Sequence, residues 1–378
     1  MKKAIFTMSF ISLLLLGSAL TACGGNTSTT SNAPTTGSNT GTSTGTSTGK
    51  PKQTINIQFV PSNDPGKLAT LATEMEPLLE QIEPDYKFSI TTGTSYAATT
   101  TALLSDQIDI GFLTASGYAE VSLKHPGKVD VLMTSVRKGY QVQVDYKTEA
   151  DQIKAMNGEI EGYTYRGEQS TEDVNWYTSQ LIVRADKYVD KNKDGKIDIL
   201  DMAGLKIGRQ GVTSGAGYLR PLKYLYDHGM EMVDKITDAS KQIQGVELIG
   251  YSAGCNAMMN GDIDGFWGYT DVRYSNFYSK EGEHYHDDKL FTDYKVVAIT
   301  DGIYNDTISA RANLDTKAKE AVKHAFKELV KQGSIDEKGT GAYLLYNLYS
   351  HTGYTDAEDA DFKGEKEFYQ FCVDHDLL

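Results

Sequence analysis

The chain has 378 residues, 39% of them hydrophobic and 23% charged, and it carries a formal charge of −14. So acidic a body excludes a nucleic-acid binder, which needs Lys and Arg against phosphates, and anionic lipid would repel it. The length exceeds the usual size of a single core and predicts two lobes, while the three cysteines, at 23, 255 and 372, lack the spacing of a metal site.

Residues 1–22 read as a signal peptide: Lys2 and Lys3, a long apolar run, then Leu20-Thr21-Ala22. The run is too short for a retained membrane span, and Gly17 and Ser18 interrupt it. Its ending resembles a bacterial lipobox, in which the Cys23 thiol takes a diacylglycerol, gains fatty-acyl chains such as palmitate, and becomes the new N-terminus. That puts the mature chain on the extracellular face of the cell membrane, and loss of Lys2 and Lys3 takes its charge from −14 to −16. Residues 23–53 follow as a lipidated cysteine and a tether of Gly, Ser, Thr and Asn, too poor in apolar side chains to order. A flexible chain of that length spans on the order of 30 Å. Cys255 and Cys372 are either one disulfide or two quiet thiols, and two thiols is the favoured reading.

The globular part opens with a strand at Ile55–Val60, a turn over Pro61–Gly66, a helix over Leu68–Ile82 and a strand at Tyr86–Thr91. A short helix from Ser95 to Leu104 then leads through Ile108-Asp109 into Ile110-Gly111-Phe112. The same grammar returns at Tyr251–Met259, ending in Ile263-Asp264-Gly265-Phe266. Superposing Asp109 on Asp264 places Ala102 on Ala257 and Tyr96 on Tyr251. Two such α/β layers facing each other leave a cleft at the C-terminal ends of their strands, where small molecules bind.

The order of segments resembles the periplasmic phosphonate-binding proteins and their Gram-positive lipoprotein relatives, the solute receptors of ABC importers for phosphonate, phosphite and related oxyanions. It rests on Tyr96 with its helix, Ile108-Asp109, Gly117-Tyr118, the strand Tyr177–Arg184, Ala203–Gly208 and the turn Ser214–Pro221. Asn305-Asp306-Thr307 through Arg311, Ser350–Tyr354 and Asp361-Phe362 complete it. The resemblance implies a two-lobed α/β periplasmic-binding-protein-like fold of type II, with the ligand cleft between the lobes. Lobe I is expected over 54–180 plus 273–378 and lobe II over 181–272, with hinge strands near Gln180–Arg184 and Val272–Ser275. It also implies a monomer without chemistry of its own, whose partners are a small anionic solute and a transporter permease.

Candidate ligand residues follow from position. Gly211–Pro221 is a small-residue turn at a helix start, which exposes backbone N–H groups, and Thr213, Ser214 and Gly215 form the expected anion cradle. Relatives carry Ser-Thr-Ser-Gly where this chain has Ser214-Gly215-Ala216-Gly217, so two hydroxyl donors are missing. Tyr96 and Tyr251 open the repeated helix, and Tyr118, in the Gly117-Tyr118 piece of the resemblance, is a further candidate; a phenol donates one hydrogen bond to an oxyanion and lays a flat face on an organic tail. Asp271 is a candidate partner for a ligand amine, or a solvated turn acid. The Tyr-rich stretch Gly139–Asn175, longer than relatives usually have, suits a flap over the cleft.

Two further motifs stand apart. Residues 190–201 match a calcium loop, with Asp190, Asn192, Asp194, Asp198 and Asp201 at positions 1, 3, 5, 9 and 12, glycine at 6, and the Lys196 carbonyl as a further ligand. Its twelfth residue is Asp rather than Glu, which predicts a weak, structural Ca2+ site. Gly250-Tyr251-Ser252-Ala253-Gly254 satisfies the Gly-x-Ser-x-Gly pattern of a secreted serine hydrolase, with Asp271 and then His284 or His286 downstream. The repeat accounts for the same letters without a nucleophile, and no oxyanion-hole segment stands upstream. A purely structural adhesin on a stalk would need no paired cleft.

Overall fold

A computed structural model describes residues 51–378 except Asn63 and Glu281. The signal peptide, Cys23 and nearly all of the tether lie outside the described residues. Fifteen strands run in chain order: β1 Gln53–Phe59, β2 Tyr86–Thr92, β3 Ile110–Leu113, β4 Val129–Tyr140, β5 Gln169–Val174, β6 Trp176–Tyr177, β7 Ser179–Arg184, β8 Lys206–Arg209, β9 Glu231–Val233, β10 Gln242–Glu247, β11 Gly265–Tyr269, β12 Tyr294–Ile299, β13 Ile303–Tyr304, β14 Thr307–Arg311 and β15 Gly353–Asp356. They form a seven-stranded sheet of order β15-β4-β14-β3-β1-β2, with β5 on β4, and a six-stranded sheet of order β12-β7-β11-β8-β10-β9. Helices cover both, so each sheet is the centre of one α/β lobe.

The first lobe closes because β1 alternates: Ile55, Ile57 and Phe59 are fully buried, and Phe59 meets Phe112 edge-on with ring centroids 4.8 Å apart. Its first helix, Pro65–Ile82, starts where Asp64 accepts from the Lys67 N–H at 2.8 Å and Pro65 fixes the first turn. The second lobe packs Leu181, Val183, Ile207 and Trp267 into its own core. Cys255 and Cys372 are free, buried thiols in different clusters.

The repeat read in the sequence is present down to its hydrogen bonds. Asp109 accepts from the Asn56 N–H at 2.8 Å and from Arg311 Nε at 2.8 Å. Asp264 accepts from the Lys206 N–H at 3.0 Å and from an Arg184 guanidinium nitrogen at 3.4 Å. In each lobe the aspartate that precedes a central strand ties a backbone amide of its parallel neighbour to an arginine at the end of its antiparallel one.

Three expectations move. β12 pairs with β7, so the second lobe extends to Ile299 rather than stopping at 272. The chain passes between the sheets along β6 and β13, which pair antiparallel as a two-stranded ribbon, Ile303 opposite Tyr177 and Tyr304 opposite Trp176. Gln180–Arg184 and Val272–Ser275 belong instead to the second lobe, because apolar Leu181, Ile182 and Val272 are wholly buried there. The Tyr-rich stretch, expected as a flap, divides: Gly139, Tyr140, Gln143 and Gln169 border the space between the lobes, whereas its middle packs on the second lobe. Its helix Glu149–Met156 and Asn157 seal the edge of β12, with Asn157 giving Nδ2–H to the Val296 carbonyl and accepting from the Val296 N–H, both at 2.8 Å.

Candidate binding cleft

Helix starts from both lobes converge between the sheets. Tyr96 opens Tyr96–Leu104 behind Ser95, whose hydroxyl accepts from the Ala98 N–H at 3.0 Å. Tyr251 opens Tyr251–Met259 behind Gly250, which has a φ of 87° that suits glycine and offers no side-chain cap. The lobes touch here: the Tyr251 N–H donates to the Ser62 carbonyl at 3.2 Å and the Thr114 hydroxyl to the Thr213 carbonyl at 3.1 Å.

These contacts close over a cavity of about 40 Å³, walled by Tyr96, Tyr177, Tyr251, Tyr269 and Tyr349 and by Arg137, Asp306 and Lys280. Since a water needs about 10–15 Å³ measured this way, the space suits on the order of three waters or one small headgroup. A second compartment of about 30 Å³ shares Arg137, Tyr177, Tyr269 and Ser350 with it and continues to Gln143 and Trp176.

Charge at the cavity centres on one ion pair. An Arg137 guanidinium nitrogen donates to Asp306, its plane lies over the Tyr177 ring at 4.9 Å, and its Nε–H is buried without a hydrogen-bond partner among the described residues. Burial pushes the Asp306 carboxyl up, but Arg137 and His351 beside it outweigh burial and hold it below the usual carboxylate range. His351 Nε2 is 3.7 Å from Asp306, and burial pushes its imidazole down to about 4, so it is neutral at neutral pH. Burial likewise raises Tyr251 to about 12, leaving a phenol that donates rather than a phenolate.

The expected residues divide. Tyr96 and Tyr251 meet at the cavity, where the Tyr251 hydroxyl lies between Tyr96 and Ser214 Oγ, 3.1 Å away. Ser214 caps its own helix by accepting from the Gly217 N–H at 3.1 Å, so it braces Tyr251. Gly215 sits behind it, where a Cβ would come 3.2 Å from Ser116 Oγ. Thr213 faces an adjoining groove with Pro61 and Ser95. Tyr118 is not on the cavity, because the fourth residue of Ala115–Lys124 turns toward the core, where its ring packs on Phe362 and its hydroxyl donates to Asp359 at 2.7 Å.

Asp271 is not on the cavity either. Fully buried, it accepts from Arg273 through both oxygens and from Gln180 Nε2 at 3.0 Å, so no lone pair is left for a ligand amine. That engagement also removes it as an orienting acid for His284, which instead lies 3.5 Å from Asp287. Ser252 is the second residue of a regular helix, and the positive φ belongs to Gly250. Sequence reasoning passed over Arg137, Asp306, Tyr177, Tyr349 and Lys280. Of these Asp306 and Tyr177 lay in segments that carried the resemblance, Asn305-Asp306-Thr307 and Tyr177–Arg184, without being marked as ligand residues.

In the loop 190–201 the carboxylates serve the loop itself. Asp190 accepts from the Lys193 and Gly195 N–H groups at 2.6 and 3.0 Å, and Asp201 from those of Lys191 and Asn192 at 2.8 and 3.1 Å. Lys196 Nζ is 2.6 Å from Asp198. Among the described residues, no three His, Cys, Asp or Glu side chains are gathered as a metal site.

Comparison with known proteins agrees with this architecture. A family model described as ABC transporter, phosphonate, periplasmic substrate-binding protein matches residues 57–362. No curated protein sequence matches. Among solved structures, PhnD1 of Prochlorococcus marinus in complex with methylphosphonate has a TM-score of 0.59 at 13% identity, over 85% of this chain and 98% of that one. A binding-protein component of an ABC phosphonate transporter from Pseudomonas aeruginosa has a TM-score of 0.58 at 16% identity, over 85% and 87%. The periplasmic aliphatic sulphonate binding protein SsuA from Escherichia coli follows at 0.51 and 14%, over 87% and 89%. The fold is thus the type II periplasmic-binding-protein fold, with no catalytic chemistry, and the chain belongs to the family of periplasmic substrate-binding proteins of ABC phosphonate transporters.

Proposed function

We propose that the cavity captures a small tetrahedral oxyanion, a phosphonate or phosphite, for delivery to an ABC permease, and that Cys23 anchors the receptor by lipid to the outer face of the cell membrane. The observation that carries the reading is the cavity itself. On a chain of charge −14, an arginine, a lysine and six tyrosines line, with one carboxylate, a space the size of a headgroup. The unsatisfied Arg137 Nε–H and the Tyr96 and Tyr251 hydroxyls are the donors for the oxyanion, and the tyrosine faces take a short organic tail. Loss of a hydrogen bond to a charged group costs about 1.5–3 kcal/mol, roughly ten- to a hundredfold in affinity.

Calorimetric titration with methylphosphonate, phosphite, phosphate and ethanesulfonate tests this. Tyr96→Phe should weaken the best of them by that factor at unchanged melting temperature, whereas Ser252→Ala should not. A ligand indifferent to Tyr96 but lost with Ser252→Ala would remove the reading. The anchor rests on the lipobox: Cys23→Ser should leave the detergent phase in phase partitioning, and a variant that still partitions there refutes it. Structural calcium in the loop 190–201 is a further proposal, supported by the ligand spacing alone.

A further inference from the structure

We propose that the second compartment receives the ligand's organic substituent and that the paired hydroxyls of Thr178 and Thr270 select an oxygen acceptor on it, so that the receptor prefers a phosphonate whose substituent ends in an uncharged oxygen, such as a hydroxyalkylphosphonate, over an alkyl- or aminoalkylphosphonate. This rests on the oxyanion reading above and narrows it. Arg137, Tyr177, Tyr269 and Ser350 wall both compartments, so a substituent that leaves the headgroup beside Arg137 enters the second. At about 30 Å³ that space takes about two waters, or roughly three non-hydrogen atoms of a chain.

The walls are polar and come from both lobes. In the second lobe Thr178 precedes β7 and Thr270 follows β11, and their hydroxyls meet at 2.7 Å. From the first lobe Gln143, on the helix Gln141–Asp145 that follows β4, donates its Nε2–H to the Thr178 hydroxyl at 3.3 Å. The two threonines carry two hydroxyl protons, and the bond between them uses one. Gln143 supplies a proton of its own, so whichever threonine donates, the other's proton finds no acceptor among the described residues, although the two residues are only 7% and 5% exposed. A buried donor without an acceptor is costly, and an oxygen lone pair at the end of the substituent satisfies it. A methyl group there leaves the proton orphaned. An ammonium has no lone pair to offer, and it would stand in a compartment lined by the Arg137 guanidinium, which repels it.

Calorimetric titration at neutral pH with 2-hydroxyethyl-, 2-aminoethyl- and propylphosphonate isolates the end group, because the substituents match in chain length and end in OH, NH3+ and CH3. The hydroxyl compound should bind about five- to tenfold more tightly than either of the others. In the double variant Thr178→Val with Thr270→Val, which keeps the shape and removes both protons, its advantage over propylphosphonate should fall toward one. Trp176 lines the same compartment, and the other tryptophan, Trp267, is wholly buried in the second-lobe core. Tryptophan fluorescence of the native protein should therefore respond to 2-hydroxyethylphosphonate and not to methylphosphonate, a readout that holds if the double variant misfolds. Equal affinity for the hydroxyl and methyl ends, or tighter binding of the amine, overturns the subsite, while binding of methylphosphonate leaves the oxyanion receptor intact. A hydroxyl preference that survives the double variant, or an equal fluorescence response to methylphosphonate, overturns it too. No binding of any of these phosphonates removes the receptor reading and the subsite together.

Discussion

The two lobes share a scaffold and differ in where they keep charge. In both, an aspartate before the central strand binds a neighbouring amide and an arginine, Asp109 with Arg311 and Asp264 with Arg184. Five residues before Arg311 stands Asp306, paired with Arg137 at the cavity; five residues before Arg184 stands Ser179, whose hydroxyl donates to the Ala216 carbonyl at 2.6 Å. The second lobe places its own ion pair, Asp271 with Arg273, in the core, and brings to the cavity the phenols of Tyr251 and Tyr269 and the rim amine of Lys280. The scaffold bonds hold strands in register, so both copies need them. The guanidinium–carboxylate pair at the cavity is needed once, and the first lobe carries it.

The sharpest way to break this comparison is to neutralise each aspartate in turn. Asp271→Asn leaves Arg273, wholly buried, without a counter-ion, and breaking such a pair costs about 3–5 kcal/mol. Asp306→Asn should cost less, because water in the cavity can solvate Arg137, but it should change methylphosphonate affinity. Urea midpoints and titrations on both variants check this. Equal destabilisation, or a ligand effect confined to Asp271→Asn, would erase the distinction between a structural and a binding pair.

Acid should strike the first lobe before the second. His351 is neutral in the folded protein, its imidazole pushed down to about 4 by burial, whereas an unfolded chain takes up the proton near 6.5. Below 6.5 the unfolded state therefore binds more protons, so this stability is complete above pH 6.5 and is lost as pH falls toward 4. At 1.36 kcal/mol per unit the full loss is on the order of 3 kcal/mol. Asp306, also held low, adds a loss of the same sign at lower pH. Melting temperature against pH should flatten between 6.5 and 4 in His351→Gln, and an unchanged slope would place the acid sensitivity elsewhere.

Much of this was legible in the chain because it is local. Periodicity marked β1 and the helices, and Tyr96 and Tyr251 were found because helix start and aspartate recur at fixed spacing. Lys280 stands outside the repeated unit and was not, nor was Arg137, which reaches the cavity on β4 through bonds from that strand to Asn305 and Asp306, 170 and 169 positions later. The lobe boundary was misplaced for a related reason: β12 joins the second sheet through an antiparallel pairing with β7 that its own letters do not announce. Asp271 looked available because a carboxylate in a turn is usually solvated, and only packing reveals Arg273 beside it.

The smallest effect sharpens the comparison, because the loop 190–201 lies between β7 and β8 of the second lobe. Calcium bound there would draw Asp190, Asn192, Asp194 and Asp198 away from the amides and the Lys196 amine they now engage. With Asp at the twelfth position, affinity should fall in the weak range of extracellular modules, about 10⁻⁴–10⁻³ M. At about 1 mM Ca2+ the folded state then gains only about 0.5–1.5 kcal/mol. Chelator should lower the melting temperature by a few degrees without unfolding the protein, and Asp190→Ala with Asp194→Ala should abolish the difference. The protection should show as slowed amide exchange in β7 and β8, with β1 to β3 unaffected. Identical melting of a metal-free sample with and without Ca2+ would make the loop an ordinary turn held by its own amides, and the lobes would then differ in charge placement alone.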